Sequence, residues 1–272
     1  MKRSIFLAPN ALLGGLMIGI IVCASLVGFF WTPFDPSRIN ILARLQSPGA
    51  AHWFGTDEYG RDVLSRIMLG ASASISISVL TVAFALLTGI VLGLLSGYLR
   101  GVTDRVIMMV TDTLLAFPGI LLALGLLSIL GSNRYGIILA LGLAYTPSVV
   151  RVVRGTVLGL RETDFVHASR VMGHREGFIL LHHILPNCIA PLTVLATSML
   201  GWVLISESAL SFLGLGVPPP EPTWGNMLAA SRTYLSQAPY LALLPGCCIS
   251  LALLGVNLLG DALRDYLDPR MQ

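Results

Sequence analysis

Long apolar runs separated by short polar segments dominate this chain. Six runs are long enough to cross a bilayer at about 20 residues each, and they cover roughly 11–31, 74–98, 106–130, 136–152, 188–210 and 239–260. The fourth run is short and contains Pro147, which can kink a helix. The strict polar–apolar alternation of a membrane β-strand is absent. The pattern therefore predicts an all-α membrane protein with six transmembrane helices.

The composition points to the same class. Hydrophobic residues make up 55% and charged residues 11% of the 272 residues, and the mean hydropathy is +0.81. A water-soluble domain of this length could not cover its surface with so few charges. The four cysteines lie in or beside predicted spans without metal-ligand spacing, which indicates packing residues.

The distribution of arginine and lysine predicts the orientation. With the N-terminus inside, eleven of the 17 basic residues fall on the inner side, namely Lys2, Arg3, Arg100, Arg105, Arg151, Arg154, Arg161, Arg170, Arg175, Arg264 and Arg270. The other six fall outside: Arg38, Arg44, Arg61, Arg66, Arg134 and Arg232. The positive-inside rule then places both termini and the segment 161–187 in the cytoplasm.

This topology divides the chain into three parts. Residues 1–31 form a cytoplasmic N-terminus and the first transmembrane helix, which we expect to be retained because its apolar run is too long for a signal peptide. Residues 32–73 form an extracytoplasmic segment with an amphipathic helix. Residues 74–272 form a five-helix core that contains the cytoplasmic loop 161–187.

The loop 161–187 is the longest polar interruption in the second half of the chain. Thr163 can cap a helix that begins at Asp164, and helical spacing gives an apolar stripe of Phe165, Ala168 or Ser169, and Met172. Gly173 allows a bend before a second helical piece, roughly 176–183. Such a helix suits a groove on a partner protein or the membrane surface, and the residues alone leave both open.

The loop resembles the coupling motif of ABC-importer permeases. That pattern is Glu-Ala-Ala, three residues, Gly, nine residues, then Ile-x-Leu-Pro. The chain matches it at Ala168, Gly173, Leu185 and Pro186. It departs from it with His167 for Glu, Ser169 for the second Ala, and His183 for Ile. The resemblance implies coupling to an ATPase through Phe165, His167, Ala168, Ser169, Met172, Gly173, Leu185 and Pro186.

Other motifs resemble the dipeptide, oligopeptide and nickel branch of these permeases, and the single-helix lead resembles its shorter, C-type subunit. They are Gly55-Thr56-Asp57, Gly60-Arg61-Asp62, Ser65-Arg66, the run from Ser211 to Gly216, Trp224-Gly225, the run from Gly260 to Asp265, and Asp268-Pro269. Together they extend the resemblance over nearly the whole chain.

The resemblance implies a set of partners and a location. The chain would pair with a homologous permease as a heterodimer, dock two cytoplasmic ABC ATPase subunits and receive substrate from an extracytoplasmic binding protein. It would lie in the bacterial inner membrane as a multi-pass protein and form half of a path for dipeptides or oligopeptides, and no nucleic acid is expected. A nickel or metal-chelate permease is the alternative within the family.

Catalysis in the chain itself is not expected. A P-loop requires a lysine after its second glycine, and the only lysine is Lys2. ATP and Mg²⁺ are therefore expected on the partner subunits, and no cofactor or metal in this chain. A self-contained, ion-coupled secondary transporter is the alternative from another class, and it leaves the spacing from Gly173 to Pro186 unexplained.

The segment before the second span carries a cluster of charges. Its members are Asp57, Glu58, Arg61, Asp62 and Arg66, and we expect them along a short amphipathic helix. Asp57, Arg61 and Asp62 are candidates for an outer gate or a binding-protein contact. The alternative is an interfacial anchor, with Trp53 and Phe54 at headgroup depth and the charges in local ion pairs.

Two carboxylates fall within predicted spans. A carboxylate in the membrane normally faces protein or a water-filled cavity. Glu207 is therefore a candidate for the substrate pathway, and its alternative is a polar clamp to Ser206, Ser208 or a neighbouring helix. Asp112 lies near the predicted cytoplasmic face, where we expect it to pair with Arg105 or interfacial water.

Two further patterns concern the glycines of the second span and the histidines of the loop 161–187. Gly89, Gly93 and Gly97 recur at four-residue spacing and predict a helix-packing seam. His167, His174, His182 and His183 all fall in the loop 161–187, where docking or packing is a better explanation than a metal site.

Overall fold

The computed structural model describes residues 9–267 and contains ten α-helices there. They are α1 Pro9–Phe30, α2 Val63–Leu99, α3 Gly101–Leu115, α4 Gly119–Leu130, α5 Arg134–Leu160, α6 Asp164–Val171, α7 Glu176–Ile179, α8 Leu185–Phe212, α9 Trp224–Ser231 and α10 Tyr240–Leu267. The all-α prediction is confirmed. The Asp268-Pro269 motif and the predicted inner charges Lys2, Arg3 and Arg270 lie outside the described residues.

Five helical segments are long and apolar enough to cross a membrane: α1, α2, α5, the continuous stretch Glu176–Phe212 that ends with α8, and Tyr240–Tyr266 of α10. The third predicted span, 106–130, is not one straight helix. It consists of α3 and α4, which meet at an angle of 98° and form a sixth, broken span. Pro118 stands at the break, and proline has no N–H to continue the helical hydrogen bonds.

Two other helices are longer than predicted. The fourth span extends over Arg134–Leu160 with Pro147 inside it. The second begins at Val63, so the predicted domain boundary at residue 74 falls inside α2. A π-helical turn at Leu180–Ile184 joins α7 to α8, which makes the polar end of the fifth span continuous with its membrane part.

A glycine seam joins α2 to α5. A Cβ built on Gly89, Gly93 or Gly97 would come within 2.4–2.8 Å of the Cβ atoms of Val149, Val153 and Val157 respectively. All three valines are fully buried. Close approach of this kind is what small residues permit in membrane helices, so the predicted seam is confirmed and its partner is α5.

The segment before α2 is not an amphipathic helix, contrary to the prediction. Residues 51–62 form turns and an isolated bridge between Thr56 and Asp62, and Asp62 is the N-cap of α2. Gly55 and Gly60 have φ values of +76° and +72°, a left-handed conformation that L-residues with a Cβ rarely adopt. The two glycines therefore break the helical spacing that the charges suggest.

The end of the bundle opposite the segment 161–187 is closed by α9. Trp224, at its first position, is 1% exposed, and its backbone N–H donates to Ser74 Oγ at 3.1 Å. The indole Nε1 donates to the carbonyl oxygen of Ile67, also at 3.1 Å. Since Ser74 and Ile67 both belong to α2, these bonds fix α9 against the start of that helix.

Candidate functional site

The segment 161–187 begins as predicted and is capped differently. α6 starts at Asp164, where the backbone N–H groups of Val166 and His167 both donate to the carbonyl oxygen of Thr163 at 3.1 Å. The Thr163 side chain makes no cap bond, and its hydroxyl donates to the carbonyl oxygen of Leu160 instead. The predicted side-chain cap is therefore wrong, while the predicted helix start is confirmed.

The two faces of α6 differ sharply in exposure. Val166 is 0% and Ser169 1% exposed, so both point into the chain. Ser169 Oγ lies 3.0 Å from His174 Nδ1 and forms a hydrogen bond with it. Ser169 thus belongs to the inner face, and the outward stripe consists of Phe165, Ala168 and Met172.

A tight turn at Gly173 follows α6. Gly173 has a φ of +83°, and a Cβ there would meet nothing within 4 Å. Arg170 Nε and Glu176 Oε1, on the two sides of the turn, lie 3.4 Å apart. The predicted bend is confirmed, and backbone conformation rather than lack of space explains the glycine.

The exposed apolar side chains on the two sides of this turn are together called the docking surface, after the role that the coupling-motif resemblance implies. Its residues are Phe165, Ala168, Val171, Met172, Phe178 and Leu181. Val171 is 88% and Met172 68% exposed. Sequence reasoning missed Val171, Phe178 and Leu181 because the stripe was traced along a single helix, whereas the turn brings two helices together.

Aromatic stacking supports the second half of this surface. The Phe178 ring stacks between His174 and His182, with ring centroids 4.6 and 4.2 Å away. The Phe178 ring also contacts His183 in an edge-to-face arrangement, with ring centroids 5.7 Å apart. Three of the four histidines therefore act as packing groups around Phe178. Within residues 9–267, no three His, Cys, Asp or Glu side chains are placed to share a metal ion.

The final motif residues mark the entry into α8. Leu185 is half-buried and packs against the main core. Pro186 is exposed in the first turn of α8. Proline is tolerated at such a position because the N–H groups of the first turn of a helix have no acceptor within that helix. His167 is also exposed, on the outward side of α6.

Ion pairs tie the start of this segment to α2. Glu162 Oε1 lies 3.1 Å from Arg161 Nε and 3.3 Å from Arg100 Nη2. Arg161 Nη1 also donates to the carbonyl oxygen of Tyr98 at 3.2 Å. The residues just before α6 are therefore bonded to the end of α2 rather than hanging free.

A second network lies beside it. Asp104 of α3 accepts two hydrogen bonds from Arg154 of α5, at 2.6 and 2.8 Å, and one from Ser96 Oγ of α2. This carboxylate joins three helices at one end of the bundle. Farther along α3, Asp112 pairs with Arg151 at 2.8 Å, so the predicted pairing with Arg105 is wrong.

At the opposite end, Asp57 is held inside the chain. It is 5% exposed, and its carboxylate accepts from the backbone N–H groups of Tyr59 and Arg61 at 2.9 Å. It also pairs with Arg61 Nε at 2.7 Å and Arg66 Nε at 3.4 Å. These are the local ion pairs of the anchor interpretation, and Trp53, 72% exposed, lies nearby in sequence.

Asp62 is also satisfied locally. Its Oδ2 accepts from the backbone N–H and the hydroxyl of Ser65 at 2.8 and 2.7 Å, and its Oδ1 lies 2.8 Å from His52 Nδ1. The carboxylate is therefore an N-cap of α2 with an imidazole partner. Asp57 and Arg61 pair with each other, whereas the Asp62 carboxylate bonds to Ser65 and His52.

Glu207 lies fully buried between α8 and α9, at 0% exposure. Its Oε1 accepts from Ser211 Oγ at 3.0 Å and Thr223 Oγ1 at 2.9 Å, whereas Oε2 has no hydrogen-bond partner among residues 9–267. Thr223 also caps α9 in a capping box with Asn226. The carboxyl therefore joins α8 to the N-cap of the neighbouring helix α9, which is one of the alternatives considered, and it does not bond to Ser206 or Ser208.

Comparison with known proteins agrees with this architecture. Residues 89–272 match the family described as "Binding-protein-dependent transport system inner membrane component". The chain is 41% identical to the dipeptide transport system permease protein DppC of Alkalihalophilus pseudofirmus, over 96% of this chain and 86% of that protein. It is 38% identical to the glutathione transport system permease protein GsiD of Pectobacterium atrosepticum, over 96% and 87%.

The fold is also similar to a solved structure, the inward-facing MetNI methionine ABC transporter. The TM-score is 0.63 at 16% identity, covering 73% of this chain and 94% of that one. At this identity the match concerns the fold alone. Taken with the family match over two thirds of the sequence, these findings establish that the chain belongs to the inner membrane components of binding-protein-dependent transport systems.

Proposed function

We propose that this permease forms half of the translocation path of an ATP-driven peptide importer, and that the docking surface seats a cytoplasmic ATPase subunit. The observation that carries the proposal is the exposure of Val171 and Met172, at 88% and 68%, on a short helix whose other face is fully buried. Exposed apolar patches of this kind mark contact sites for a partner.

A partner protein explains the surface better than a lipid interface does. The inner face of α6 is fixed by Val166 and Ser169, and the preceding residues are bonded to α2 through Glu162. A helix that only lies on lipid has no need of such anchoring. A helix that passes on the motion of a partner does, because small shifts are amplified only through packed elements.

The remaining partners follow from this assignment. The ATPase subunits would carry ATP and Mg²⁺, since no P-loop lysine exists in this sequence. With the docking surface in the cytoplasm, both termini lie there too, in agreement with the distribution of basic residues. A homologous permease would complete a heterodimer, and an extracytoplasmic binding protein would deliver substrate to the opposite end.

A peptide is the substrate class that the relatives support. One relative is named for dipeptide transport and another for glutathione transport, and both of these are peptides. These names give no support to the nickel alternative. The secondary-transporter alternative is not supported either, because the chain belongs to a family of binding-protein-dependent systems. Mass spectrometry of the ligand bound to the co-encoded binding protein tests the substrate: a peptide agrees, and a bare metal ion contradicts it.

The docking assignment is tested by co-purification from native membranes. Met172→Asp places a charge in the docking surface, and loss of an interface anchor typically costs 2 kcal/mol or more, so recovery of the ATPase should fall by about tenfold or more. The matched control is Leu235→Asp, because Leu235 is 52% exposed at the opposite end. Normal ATPase recovery with Met172→Asp, at normal permease levels, would contradict the assignment.

A further inference from the structure

One ion pair of this membrane protein is more exposed than its position allows in lipid. Asp112 Oδ1 and Arg151 Nη2 lie 2.8 Å apart, yet 57% and 59% of their side chains are exposed. α5, which carries Arg151, is one of the candidate spans, and α3, which carries Asp112, is part of the broken one. Charged groups within the membrane face protein or a water-filled cavity because contact with lipid chains is costly.

Arg151 lies in the inner part of the α5 span and not at the end of the helix. The helix begins at Arg134, whose guanidinium pairs with Glu221 at 3.2 Å at the opposite end of the bundle. Arg151 follows 17 residues later, about 26 Å along the axis at 1.5 Å per residue. That distance is within the roughly 30 Å of a bilayer core, and α5 continues for nine more residues to Leu160.

The side of α5 that carries Arg151 has open space beside it. Val149, Val153 and Val157 face α2 along the glycine seam, and Gly155 lies two residues, about 200°, round the helix from Val153. A Cβ built on Gly155 would meet nothing within 4 Å. On the flank toward α8, Tyr145 OH hydrogen-bonds to Ser206 Oγ at 2.8 Å. The open side of α5 therefore lies between α3 and α8.

The flank of α3 that faces away from Asp112 is apolar. A cavity of about 170 Å³ lies between α2, α3 and α5, lined mainly by Val106, Val110, Leu114 and Val150. At 100° per residue, Asp112 lies about 160° round α3 from Leu114 in one direction and on the far side from Val106 and Val110. α3 thus turns these apolar residues toward the cavity beside α2 and α5 and turns Asp112 away from it.

We propose that Asp112, Arg151 and Gly155, together called the open strip, border the water-filled substrate path between this chain and the second permease. The inference rests on the proposed function and adds to it the residues that line the path. A half-exposed ion pair keeps its hydration in an aqueous path and would lose it in lipid. Gly155 supplies width there, because no neighbouring atom approaches the space a side chain would take.

The test is cysteine accessibility in the intact transporter in membrane vesicles. The four native cysteines, Cys23, Cys188, Cys247 and Cys248, are first replaced by alanine. Gly155→Cys then reports on the open strip. Leu95→Cys is its depth-matched control, because Leu95 lies between Gly93 and Gly97, which contact Val153 and Val157, and it is 38% exposed. A charged, membrane-impermeant thiol reagent is applied without nucleotide and after trapping with ATP and vanadate.

An aqueous path gives a specific pattern of reaction. Since only a hydrated cysteine ionises readily to the thiolate that attacks the reagent, Gly155→Cys should react at least about tenfold faster than Leu95→Cys in one of the two states, and trapping should change its rate. Equal rates for the two positions would overturn the inference by placing the open strip in lipid. A fast rate that trapping leaves unchanged would overturn it as well, by showing a permanently exposed surface.

The two failures remain distinguishable. In a permease that still recovers its ATPase in the co-purification experiment, slow reaction of Gly155→Cys both without nucleotide and after trapping counts against the open strip alone. Loss of the proposed function shows itself separately, as a permease that recovers no ATPase in the co-purification experiment. A monodisperse size-exclusion profile and an unchanged midpoint of thermal unfolding confirm that the Gly155→Cys protein is folded, since a Cβ at this position meets nothing within 4 Å.

Discussion

Arg154 and Asp104 form a two-bond ion pair across 50 residues of sequence, with N–O distances of 2.6 and 2.8 Å. Their side chains are 28% and 19% exposed. Ser96 adds a third helix to the same carboxylate, and the end of α2 is bonded in turn to the residues before α6. α2, α3 and α5 are thereby joined at the end of the bundle that carries the docking surface.

Breaking this ion pair should weaken the link between ATP hydrolysis and transport. Asp104→Asn removes the charge that Arg154 needs, and a hydrogen bond to a charged group contributes about 1.5–3 kcal/mol. We expect a lower thermal stability and fewer substrate molecules taken up per ATP hydrolysed in proteoliposomes. The exchange Asp104→Arg with Arg154→Asp should restore part of both. An unchanged transport ratio in Asp104→Asn would show that the pair only stabilises the fold.

The glycine seam should tolerate no side chain. Gly93→Ala would place a Cβ 2.6 Å from the Val153 Cβ, and overpacking of this kind costs about 1–3 kcal/mol. We expect a lower midpoint of thermal unfolding in detergent and partial recovery when Val153→Gly is added. Gly19→Ala in α1 is the control because a Cβ there meets nothing within 4 Å. Equal stability of the Gly93 and Gly19 variants would contradict the packing.

The turn at Gly173 should be sensitive to conformation rather than to size. At a φ of +83°, a residue with a Cβ costs roughly 1–2 kcal/mol, so Gly173→Ala and Gly173→Arg should both reduce uptake relative to ATP hydrolysis without impairing membrane insertion. Gly177→Ala is the control, since Gly177 lies in α7 with open space around it. If Gly173→Ala transports normally and only the arginine variant fails, bulk at the docking surface is the cause instead.

Glu207 should behave as a clamp. Glu207→Gln keeps an oxygen that can accept from Ser211 and Thr223, so uptake should stay near the wild-type level. Glu207→Leu leaves both hydroxyls without this acceptor, at about 1–3 kcal/mol for each unsatisfied group, and should lower thermal stability; Thr223→Val should give a smaller decrease. Loss of uptake in Glu207→Gln with unchanged stability would instead support the candidate pathway role.

Much of the fold can be predicted from the sequence because a bilayer restricts the spanning segments of this chain to long apolar helices. The apolar runs identify the spanning helices, and the four-residue spacing of Gly89, Gly93 and Gly97 predicts the helix-packing seam. The break at Pro118 was missed although Pro118-Gly119 is a strong stop signal, since mean hydropathy stays high through it. The turns at Gly55 and Gly60 were missed for a related reason: helical spacing of charges was counted while the two glycines were not.

The functional residues divide in the same way: features set by local spacing can be predicted from the sequence, and features set by helix packing cannot. The outward stripe of α6 and the bend at Gly173 follow from local spacing, and the sequence predicts them. The pairing of Asp104 with Arg154, and of Asp112 with Arg151, depends on how α3 crosses α5, which local pattern does not encode. The sequence leaves the choice between Ala168 and Ser169 open because an eight-residue helix with few apolar residues does not determine its own rotation, and the packing of Val166 and Ser169 fixes it.

Photocrosslinking in living cells tests the docking assignment most directly. A photoreactive amino acid replaces Met172 on the docking surface, and the matched control replaces Leu42, which is 96% exposed at the opposite end of the bundle. We expect Met172 to yield an adduct with the co-encoded P-loop ATPase and Leu42 to yield none. An ATPase adduct from Leu42, or none from Met172 at normal expression, would contradict the assignment.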